Sequence, residues 1–469
     1  MSGTEASAVR TIKLLQSIHH GQAAELSSIR EYDVVIVGGG ASGLAAAAEL
    51  RMRSPGTSVA VLEKNSEPGR KIRASGSGRC NITNTAAEGY DEIIAFFDRL
   101  GIVTRSYDNG LVYPYSESAA DVAELLAARA SELGARLISD AEVTDIRSCP
   151  EEECFETVYS VSQSGRGKGA AKGGGGSRIR TEAIRSAAVI LACGGKAGPM
   201  FGTTGDGYRL ARQLGHRIVT PVPVLTSIEC REWDKDCRPN GIELAGTRTR
   251  GKVSLYKKER VNNERSNNEG EEFSDLLFEE AGEIQFTKYG LSGICVFNMT
   301  RHMRYDRSAG GSLDDFCITA DLFADGDIRE FIKKRIENAF PGECAEHVLR
   351  TVLKENIAEY VMAYAGISSG RALTELDDRD IEALGAAVHS LRFTPSSIRG
   401  WKDAQATSGG VSLDEICPET CESLLVPGLY ITGELADRDY PCGGFNLSNA
   451  WLTGMRAAAA IAVKMRPEQ

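Results

Sequence analysis

The chain of 469 residues is longer than one hydrophobic core usually serves, so we expect two or three domains. Its hydrophobic content of 42% is that of a folded globular protein, and its formal net charge of -11 argues against a polyanion gripped over a broad surface. No segment approaches the roughly twenty apolar residues of a membrane span, and the first thirty residues lack an unbroken apolar run. These features predict a soluble, cytoplasmic protein without a membrane partner.

The cysteines exclude several kinds of site. No two of the twelve have the C-x-x-C spacing of redox dithiols and zinc ribbons. The pair with the closest spacing, Cys417 and Cys421, has no histidine nearby in sequence, so we expect no metal site. We interpret most of the cysteines as reduced, small, buried hydrophobic residues.

The predicted elements begin with a βαβ unit. An apolar, β-branched run from Tyr32 to Val37 predicts a strand that is covered on both faces. An Ala-rich helix, Ala45 to Leu50, leads to a second strand, Val59–Leu62. The periodicity then predicts, in order, a helix at 119–133 and strands at 136–138, 141–146 and 187–192. Residues 163–178 are Gly-rich and poor in apolar side chains, which predicts a disordered hairpin tip.

The rest of the chain changes character twice. Short alternating strands are predicted between about 220 and 320, helices over 327–390, and a last strand at 428–432 that leads into a helix from Asn449. The predicted fold class is therefore α/β, a Rossmann-like domain interrupted by two insertions. The predicted regions are a polar extension at 1–30, a dinucleotide-binding domain at 31–218 and 401–469, a β-rich domain at 219–325 and a helical subdomain at 326–400.

A glycine motif joins the first strand to the first helix. Gly38, Gly40 and Gly43 have the G-x-G-x-x-G spacing, in which the glycines permit a tight turn, approach of backbone to pyrophosphate, and close helix packing. The next residues, Ala41 and Ser42, would open the helix whose N–H groups face the anion. Glu63, at the end of the second strand and followed by Lys64, is placed to accept hydrogen bonds from ribose hydroxyls. An acid there favours FAD or NAD over NADP.

A long loop follows Glu63 and bears on the choice of cofactor. The Gly/Ser/Arg-rich segment 69–84 can wrap a pyrophosphate and reach a flavin, and its alternative interpretation is a solvated basic loop. Its candidate cofactor residues are Arg70, Lys71, Gly78, Arg79 and Asn81. A second strand-to-turn junction of the kind that faces a dinucleotide lies at Cys193 and Gly194.

The sequence Gly-Arg-Cys-Asn-Ile-Thr-Asn at 78–84 resembles a motif of the BaiN-like flavoproteins, a family also called aminoacetone-oxidase-like or YhiN-like. Further blocks similar to that family follow in family order, so the resemblance runs from Asp33 to about Gly454. These blocks are Gly194–Gly195 with 204–208 and 215–216, then 282–293, 406–411, 433–437 and 443–447. The resemblance implies an FAD-binding Rossmann-like domain interrupted by a β-rich and a small helical domain.

The resemblance also implies roles for single residues. The first glycines and Glu63 would hold the ADP half of FAD, and Val143 would meet adenine through its backbone. Arg79, Cys80 and Asn81 would approach the flavin end. The ribityl chain and pyrimidine ring would be lined by Gly433, Glu434, Gly444, Phe445 and Asn446. This sequence departs from the family pattern at Cys193, Lys288 and Ile294, where Thr, His and Pro are common.

Cys80 is the candidate catalytic residue. Its thiol would donate a proton to a reduced double bond, with a pKa lowered by the adjacent Arg79; the alternative is a packing cysteine. His216 is interpreted as a helix-end or core histidine rather than a base. Tyr113 and Tyr115 are interpreted as a packed turn, with a substrate-facing tyrosine as the alternative.

The predicted activity is that of an FAD-dependent oxidoreductase that moves a hydride through flavin N5. The family is linked to an amino ketone, a steroid enone and a ribosomal RNA uridine, so the substrate is a small molecule or, alternatively, RNA. With no second glycine motif of similar quality, NAD(P)H would visit the flavin only transiently. Segment 247–260 holds six basic residues against Glu259, and is either a solvated hairpin face or a phosphate-contacting ribbon.

Overall fold

A computed structural model describes residues 29–163, 178–234, 241–258, 273–303 and 312–465. These residues form two compact units, the first built from those up to 221 and from 409 onward, and the second from those between 222 and 408. The N-terminal extension and the Gly-rich tip were predicted for residues that lie almost wholly outside the described ones. No helix among the described residues is long and apolar enough to cross a membrane.

The strands are numbered in chain order. They are β1 (Arg30–Val37), β2 (Val59–Leu62), β3 (Thr83–Asn84), β4 (Thr104–Ser106), β5 (Leu111–Pro114), β6 (Arg136–Ile138), β7 (Ala141–Cys149), β8 (Cys154–Gln163), β9 (Arg178–Leu191), β10 (Ile218–Val224), β11 (Ile228–Cys230), β12 (Arg248–Lys258), β13 (Phe273–Phe286), β14 (Gly290–Ser292), β15 (Phe316–Asp321), β16 (Leu391–Phe393), β17 (Pro395–Ile398), β18 (Ala406–Val411) and β19 (Leu429–Ile431).

The helices are numbered in the same way. They are α1 (Ala41–Arg53), α2 (Arg70–Arg73), α3 (Tyr90–Arg99), α4 (Ala119–Glu132), α5 (Asp206–Gln213), α6 (Ile294–Thr300), α7 (Ile328–Glu337), α8 (Ala345–Leu349), α9 (Glu355–Tyr364), α10 (Asp378–His389) and α11 (Phe445–Lys464).

The first unit is built on a mixed sheet. Its strand order is β6-β2-β1-β9-β8-β7, with β19 also paired to β9. Strands β6, β2, β1, β9 and β19 run parallel, and β7 and β8 add an antiparallel meander. The apolar residues of β1 and β2 are buried, as predicted for strands covered on both faces. The predicted α/β class with a Rossmann-like domain is confirmed.

Helices α1 and α11 pack together in this unit. The Ala-rich surface of α1 leaves little side-chain bulk between them, and a Cβ at Gly454 would lie 2.3 Å from the Ser42 carbonyl oxygen. One hydrophobic cluster includes Leu44, Phe97 and Trp451. Helix α11 begins at Phe445, four residues before the predicted start, because Gly444 and not a polar side chain caps it.

The second unit contains a seven-stranded sheet in the order β16-β15-β12-β13-β14-β11-β17. The prediction of short strands here is wrong for β12 and β13, which have 11 and 14 residues. Two pairs of opposite charges, Arg250 with Glu283 and Lys257 with Asp275, face each other directly across this ladder. One hydrophobic cluster joins this sheet to helices α7 to α10, through residues such as Ile318, Leu349 and Ile381.

Candidate functional site

The turn between β1 and α1 gives each motif glycine a different surrounding. A Cβ at Gly38, whose φ is +108°, would lie 2.5 Å from the Ala192 carbonyl oxygen, and one at Gly43 would lie 2.0 Å from the Gly38 carbonyl oxygen. A Cβ at Gly40 would meet no protein atom within 4 Å. Two of the glycines are therefore required by the protein's own packing, and Gly40 borders open space at the first turn of α1.

This open space has the chemistry of an anion site. Gly40 is the N-cap of α1, and no side chain caps the helix there. The first N–H groups of a 13-residue helix, together with its dipole, favour a bound anion such as a pyrophosphate. The residues present therefore fit the pyrophosphate of FAD.

Glu63 is held rigidly beside this turn. Its Oε2 accepts a hydrogen bond of 2.8 Å from the Gly39 N–H, and its Oε1 accepts from the backbone and side-chain N–H groups of Asn65 at 2.8 and 2.6 Å. An ionised carboxylate has about four acceptor positions, so capacity for a ribose hydroxyl remains. Asn65 was missed by sequence reasoning, although its position two residues after Glu63 was a usable signal.

Lys64 makes two contacts within the first unit. Its ammonium forms an ion pair with Asp206 and donates to the Thr204 hydroxyl at 2.7 Å. The side chain thus ties the end of β2 to the first turn of α5. Contact of Lys64 with the cofactor stays a prediction.

The C-terminal segment lies against the first turn of α1. The Ser42 hydroxyl donates to the Thr432 hydroxyl at 2.6 Å, and a Cβ at Gly433 would lie 3.2 Å from the Ser42 Cβ. Helix α2 approaches the same segment through an ion pair of 2.7 Å between Lys71 and Glu434. Arg70 instead donates to the Asn65 side chain at 2.8 Å. Four predicted cofactor positions, Ser42, Lys71, Gly433 and Glu434, therefore meet in one region of the first unit.

The segment 81–84 lies along the start of α11. The Asn84 side chain donates to the Gly443 carbonyl at 3.0 Å, and the Thr83 and Ser448 hydroxyls are 2.7 Å apart. A Cβ at Gly444 would lie 2.6 Å from the Thr83 carbonyl oxygen and 3.1 Å from the Asn81 Oδ1. The close approach of these two segments explains why glycine stands at 444.

The N-terminus of α11 is a second uncapped helix end in this unit. Gly444 is its N-cap, and no side chain accepts a hydrogen bond from the first turn. The Asn446 side chain braces the preceding loop, with its Nδ2 donating to the Tyr440 carbonyl at 2.8 Å. Phe445 is partly exposed. The backbone N–H groups at 444–446, rather than the Asn446 side chain, are therefore the groups that could donate hydrogen bonds to a ligand.

Cys80 is a core residue in this structure. It is fully buried in the main hydrophobic cluster, and its backbone N–H donates to the Ser75 carbonyl at 3.1 Å. Burial raises the pKa of the Cys80 thiol to about 12. The prediction that Arg79 lowers this pKa is wrong, because loss of hydration on burial raises the pKa and outweighs the hydrogen bond with Ser75, which lowers it. Cys80 as proton donor stays a prediction, and its burial favours the packing alternative.

Arg79 points toward β5 and the turn after it. Its guanidinium carbon lies 4.6 Å from the centre of the Tyr113 ring. One guanidinium nitrogen of Arg79 lies 3.9 Å from a carboxylate oxygen of Glu117. Tyr113 is buried within β5, whereas Tyr115, just after this strand, is exposed. A substrate-facing tyrosine here stays a prediction. Gly78, next to Arg79, is exposed with φ +85° and open space at its Cβ position.

The remaining predicted cofactor residues lie within or just after strands of the same sheet. Val143 on β7 pairs with Tyr159, and its carbonyl accepts a 3.5 Å hydrogen bond from Arg209. The Cys193 thiol donates to the Val37 carbonyl at 3.5 Å, and burial raises its pKa to about 12. Gly194 follows with φ +69°. Contact of Val143, Cys193 or Gly194 with FAD stays a prediction.

Two further residues were singled out from the sequence. His216 is buried, with Nδ1 2.9 Å from the Glu415 carboxylate and Nε2 3.0 Å from the Ser423 hydroxyl, so its interpretation as a core histidine is confirmed. Lys288 is exposed in the turn between β13 and β14 of the second unit.

The chain matches known proteins over nearly its whole described length. The model of the HI0933-like protein Rossmann domain matches residues 32–90 and 88–460. A 3-dehydro-bile acid delta(4,6)-reductase of Clostridium scindens is 31% identical over 91% of this chain and 98% of the relative. A ribosomal RNA dihydrouridine synthase of Haemophilus influenzae is 25% identical over 91% of this chain and 98% of its own.

Among solved structures, a 3-ketosteroid-delta4-(5alpha)-dehydrogenase from Rhodococcus jostii RHA1 is similar with a TM-score of 0.45 and 14% identity, covering 93% of this chain and 98% of that one. The family match and the bacterial reductase confirm the resemblance read from the motifs. The chain belongs to the HI0933-like Rossmann-domain family of FAD-dependent oxidoreductases.

Proposed function

We propose that the protein is an FAD-dependent reductase of a carbon–carbon double bond that is conjugated with a carbonyl group. The observation that carries the cofactor assignment is the turn between β1 and α1, where Gly40 alone among the three motif glycines borders open space. Bound FAD would supply hydride transfer through N5. NADH or NADPH is the proposed transient reductant.

The chain's own residues would bind and orient the cofactor. Glu63, fixed by Gly39 and Asn65, would accept a ribose hydroxyl. The N-terminus of α1 would face pyrophosphate, and the N-terminus of α11 would stabilise negative charge at the other end of the cofactor. The ion pair between Lys71 and Glu434 would keep the C-terminal segment closed against α2.

The substrate class comes from what the two relatives have in common. A bile acid and a ribosomal RNA differ in size and charge. The names of both relatives nevertheless describe reduction chemistry, and a steroid enone and a uracil ring each place a C=C bond beside a carbonyl. A conjugated C=C bond is therefore the substrate feature that this site is proposed to use.

Reduction of such a bond also needs a proton on the carbon that receives no hydride. Cys80 is fully buried and its pKa is raised to about 12, so it is poorly placed to donate near neutral pH. The Tyr113 hydroxyl, 3.5 Å from an Arg79 nitrogen, is the alternative protein donor. Comparing Tyr113→Phe with Cys80→Ala in the substrate step would separate the two.

The test begins with the purified protein. It should absorb as a flavoprotein and release FAD on acid treatment; FMN alone, or no flavin, would contradict the proposal. Anaerobic reduction with NADH or NADPH should then be followed by reoxidation with a steroid enone, 4-androstene-3,17-dione, and with a small cyclic enone. Reoxidation by oxygen alone, with neither enone active, would refute the substrate class.

Action on ribosomal RNA is the second candidate function, because two relatives are ribosomal RNA dihydrouridine synthases. The basic strand β12 supports it less than its sequence predicts. Its partner β13 carries four acidic side chains, and Lys252 and Arg248 lie 3.1 and 3.4 Å from Glu279 and Glu283. Dihydrouridine formation in RNA incubated with the reduced protein, together with salt-sensitive RNA binding, would favour this function over the first.

A further inference from the structure

Cys149 and Cys154 stand opposite each other at the end of the β7–β8 hairpin. They are Cα partners in the antiparallel ladder, joined by the four residues 150–153. Directly opposed residues of antiparallel strands share a face of the sheet and have Cα atoms about 4.5 to 5.5 Å apart. Disulfides span Cα distances of about 4.4 to 6.8 Å. The backbone therefore already places the two cysteines at bonding separation.

The two side chains also interact. Both thiols are free and only partly buried. The Cys149 side chain is a hydrogen-bond partner of the Cys154 thiol, and burial together with this neighbour raises the pKa of Cys154. The described residues hold no group of three or more side chains that could bind a metal here. Two thiols in contact and open to a small reagent are the geometry of a dithiol pair.

The other cysteine pair that is close in sequence, Cys417 and Cys421, differs in burial and in the hydrogen-bond partner of its thiol. Cys421 is buried, and the Cys417 thiol donates to the Glu419 carboxylate at 3.2 Å. A reagent from solvent has less access to that pair. The β7–β8 pair is therefore the better candidate for modification among the described cysteines.

We propose that Cys149 and Cys154 are a site of reversible thiol–disulfide modification that takes a low-molecular-weight disulfide, such as oxidised glutathione, as its oxidant. One protein thiolate attacks a sulfur of the reagent, forms a mixed disulfide and releases one glutathione thiolate. The second protein thiolate then attacks the protein-bound sulfur and releases the other. Two protein thiols lose two electrons and two protons, and one reagent disulfide becomes two thiols.

The modification would act on the strand that carries Val143. The β7–β8 ladder changes register between Val143 and Asp145, and a covalent bond at the hairpin end restricts slippage of the paired strands. The oxidised protein should therefore show slower amide hydrogen exchange in the last residues of β7 and the first of β8. This inference does not depend on the substrate proposed above.

The test uses the intact protein as purified, with its cofactor, at pH 8. After incubation with oxidised glutathione, free thiols are blocked and the protein is cut with a glutamate-specific protease, which cleaves at Glu151–Glu153 between the two cysteines. The wild type should lose two titratable thiols and yield two peptides joined by a disulfide. Cys149→Ser and Cys154→Ser should each carry a stable glutathione adduct on the remaining cysteine.

Cys344→Ser is the matched control, since Cys344 is also a partly buried free thiol but lies in the second unit. It should oxidise at Cys149 and Cys154 as the wild type does. Two free thiols after full exposure to the reagent, a stable adduct in the wild type, or a bond from either cysteine to a third would each overturn the proposal. Flavin content is read in the same samples, so failure of the cofactor assignment is seen separately.

Discussion

Gly40→Val should abolish FAD binding without unfolding the protein. Gly40 has φ -81° and ψ -166°, an extended conformation that valine adopts, and its Cβ position is free of protein atoms within 4 Å. The new side chain would instead fill the space assigned to pyrophosphate. Losing one or two charge-assisted hydrogen bonds would by itself cost about 3 kcal/mol, or roughly two orders of magnitude in Kd, and the steric overlap of valine with pyrophosphate adds to this loss.

The measurements are flavin content and the thermal midpoint with and without added FAD. The wild-type midpoint should rise with FAD, because a ligand that binds only the folded state stabilises it. The Gly40→Val midpoint should not respond to FAD, while its cofactor-free value should stay near that of the cofactor-free wild type. The purified variant should be colourless.

Two matched variants separate loss of binding from loss of fold. Gly56→Val makes the same change at an exposed glycine with equally open surroundings, so it should keep FAD. Gly43→Ala places a Cβ 2.0 Å from the Gly38 carbonyl oxygen, and such overpacking typically costs about 1–3 kcal/mol. It should lower the midpoint even without cofactor. Wild-type flavin content in Gly40→Val would refute the assignment of pyrophosphate to this turn.

Three further outcomes follow from single contacts. Cys80→Ala should destabilise the protein by about 1 kcal/mol, since one buried sulfur is removed. In rapid mixing, the rate at which the enone reoxidises each bound flavin should be unchanged. A hundredfold slower rate would establish the thiol as proton donor. Glu49→Gln should lower the thermal midpoint, because the buried Glu49 carboxylate binds Arg53 and Arg99 at 2.6 and 2.5 Å. A hydrogen bond to a charged group contributes about 1.5–3 kcal/mol. An unchanged midpoint would show that hydration of the two arginines in the variant compensates for the lost ion pairs. Glu434→Gln should weaken FAD binding about tenfold in a titration, because it loosens the contact with Lys71. The thermal midpoint of the cofactor-free protein should change little, since both side chains are partly exposed. A large drop in that midpoint would show that the ion pair stabilises the fold rather than the cofactor site.

Much of the first unit is predictable because its signals are local. The strand from Tyr32 to Val37, the glycine spacing and the acid at Glu63 lie within one βαβ unit, where sequence neighbours are also spatial neighbours. Helix 119–133 and strands β2 and β6 also have nearly the predicted bounds. The last strand, β19, forms where predicted, but the sequence does not state that it pairs with β9.

The pairing of β12 with β13 depends on long-range contacts that sequence composition does not predict. Strands β12 and β13 are longer than predicted, and their pairing brings Arg250 opposite Glu283 and Lys257 opposite Asp275, which neither strand's sequence shows by itself. The same pairing reduces the apparent basic character of segment 247–260. Its last two residues lie outside the described part of the chain.

The sequence by itself determined the fold class, the family and the dinucleotide-binding turn, because each depends on short spacings and strand periodicity. Only the tertiary structure joined Lys71 to Glu434 and Asn84 to Gly443, since these contacts span more than 350 residues and depend on how α11 packs. It also buried Cys80, whose pKa is raised by loss of water that no neighbouring residue in sequence can reveal. Contacts between residues that are close in sequence can be predicted from residue spacing, whereas burial and contacts between distant segments require the folded structure.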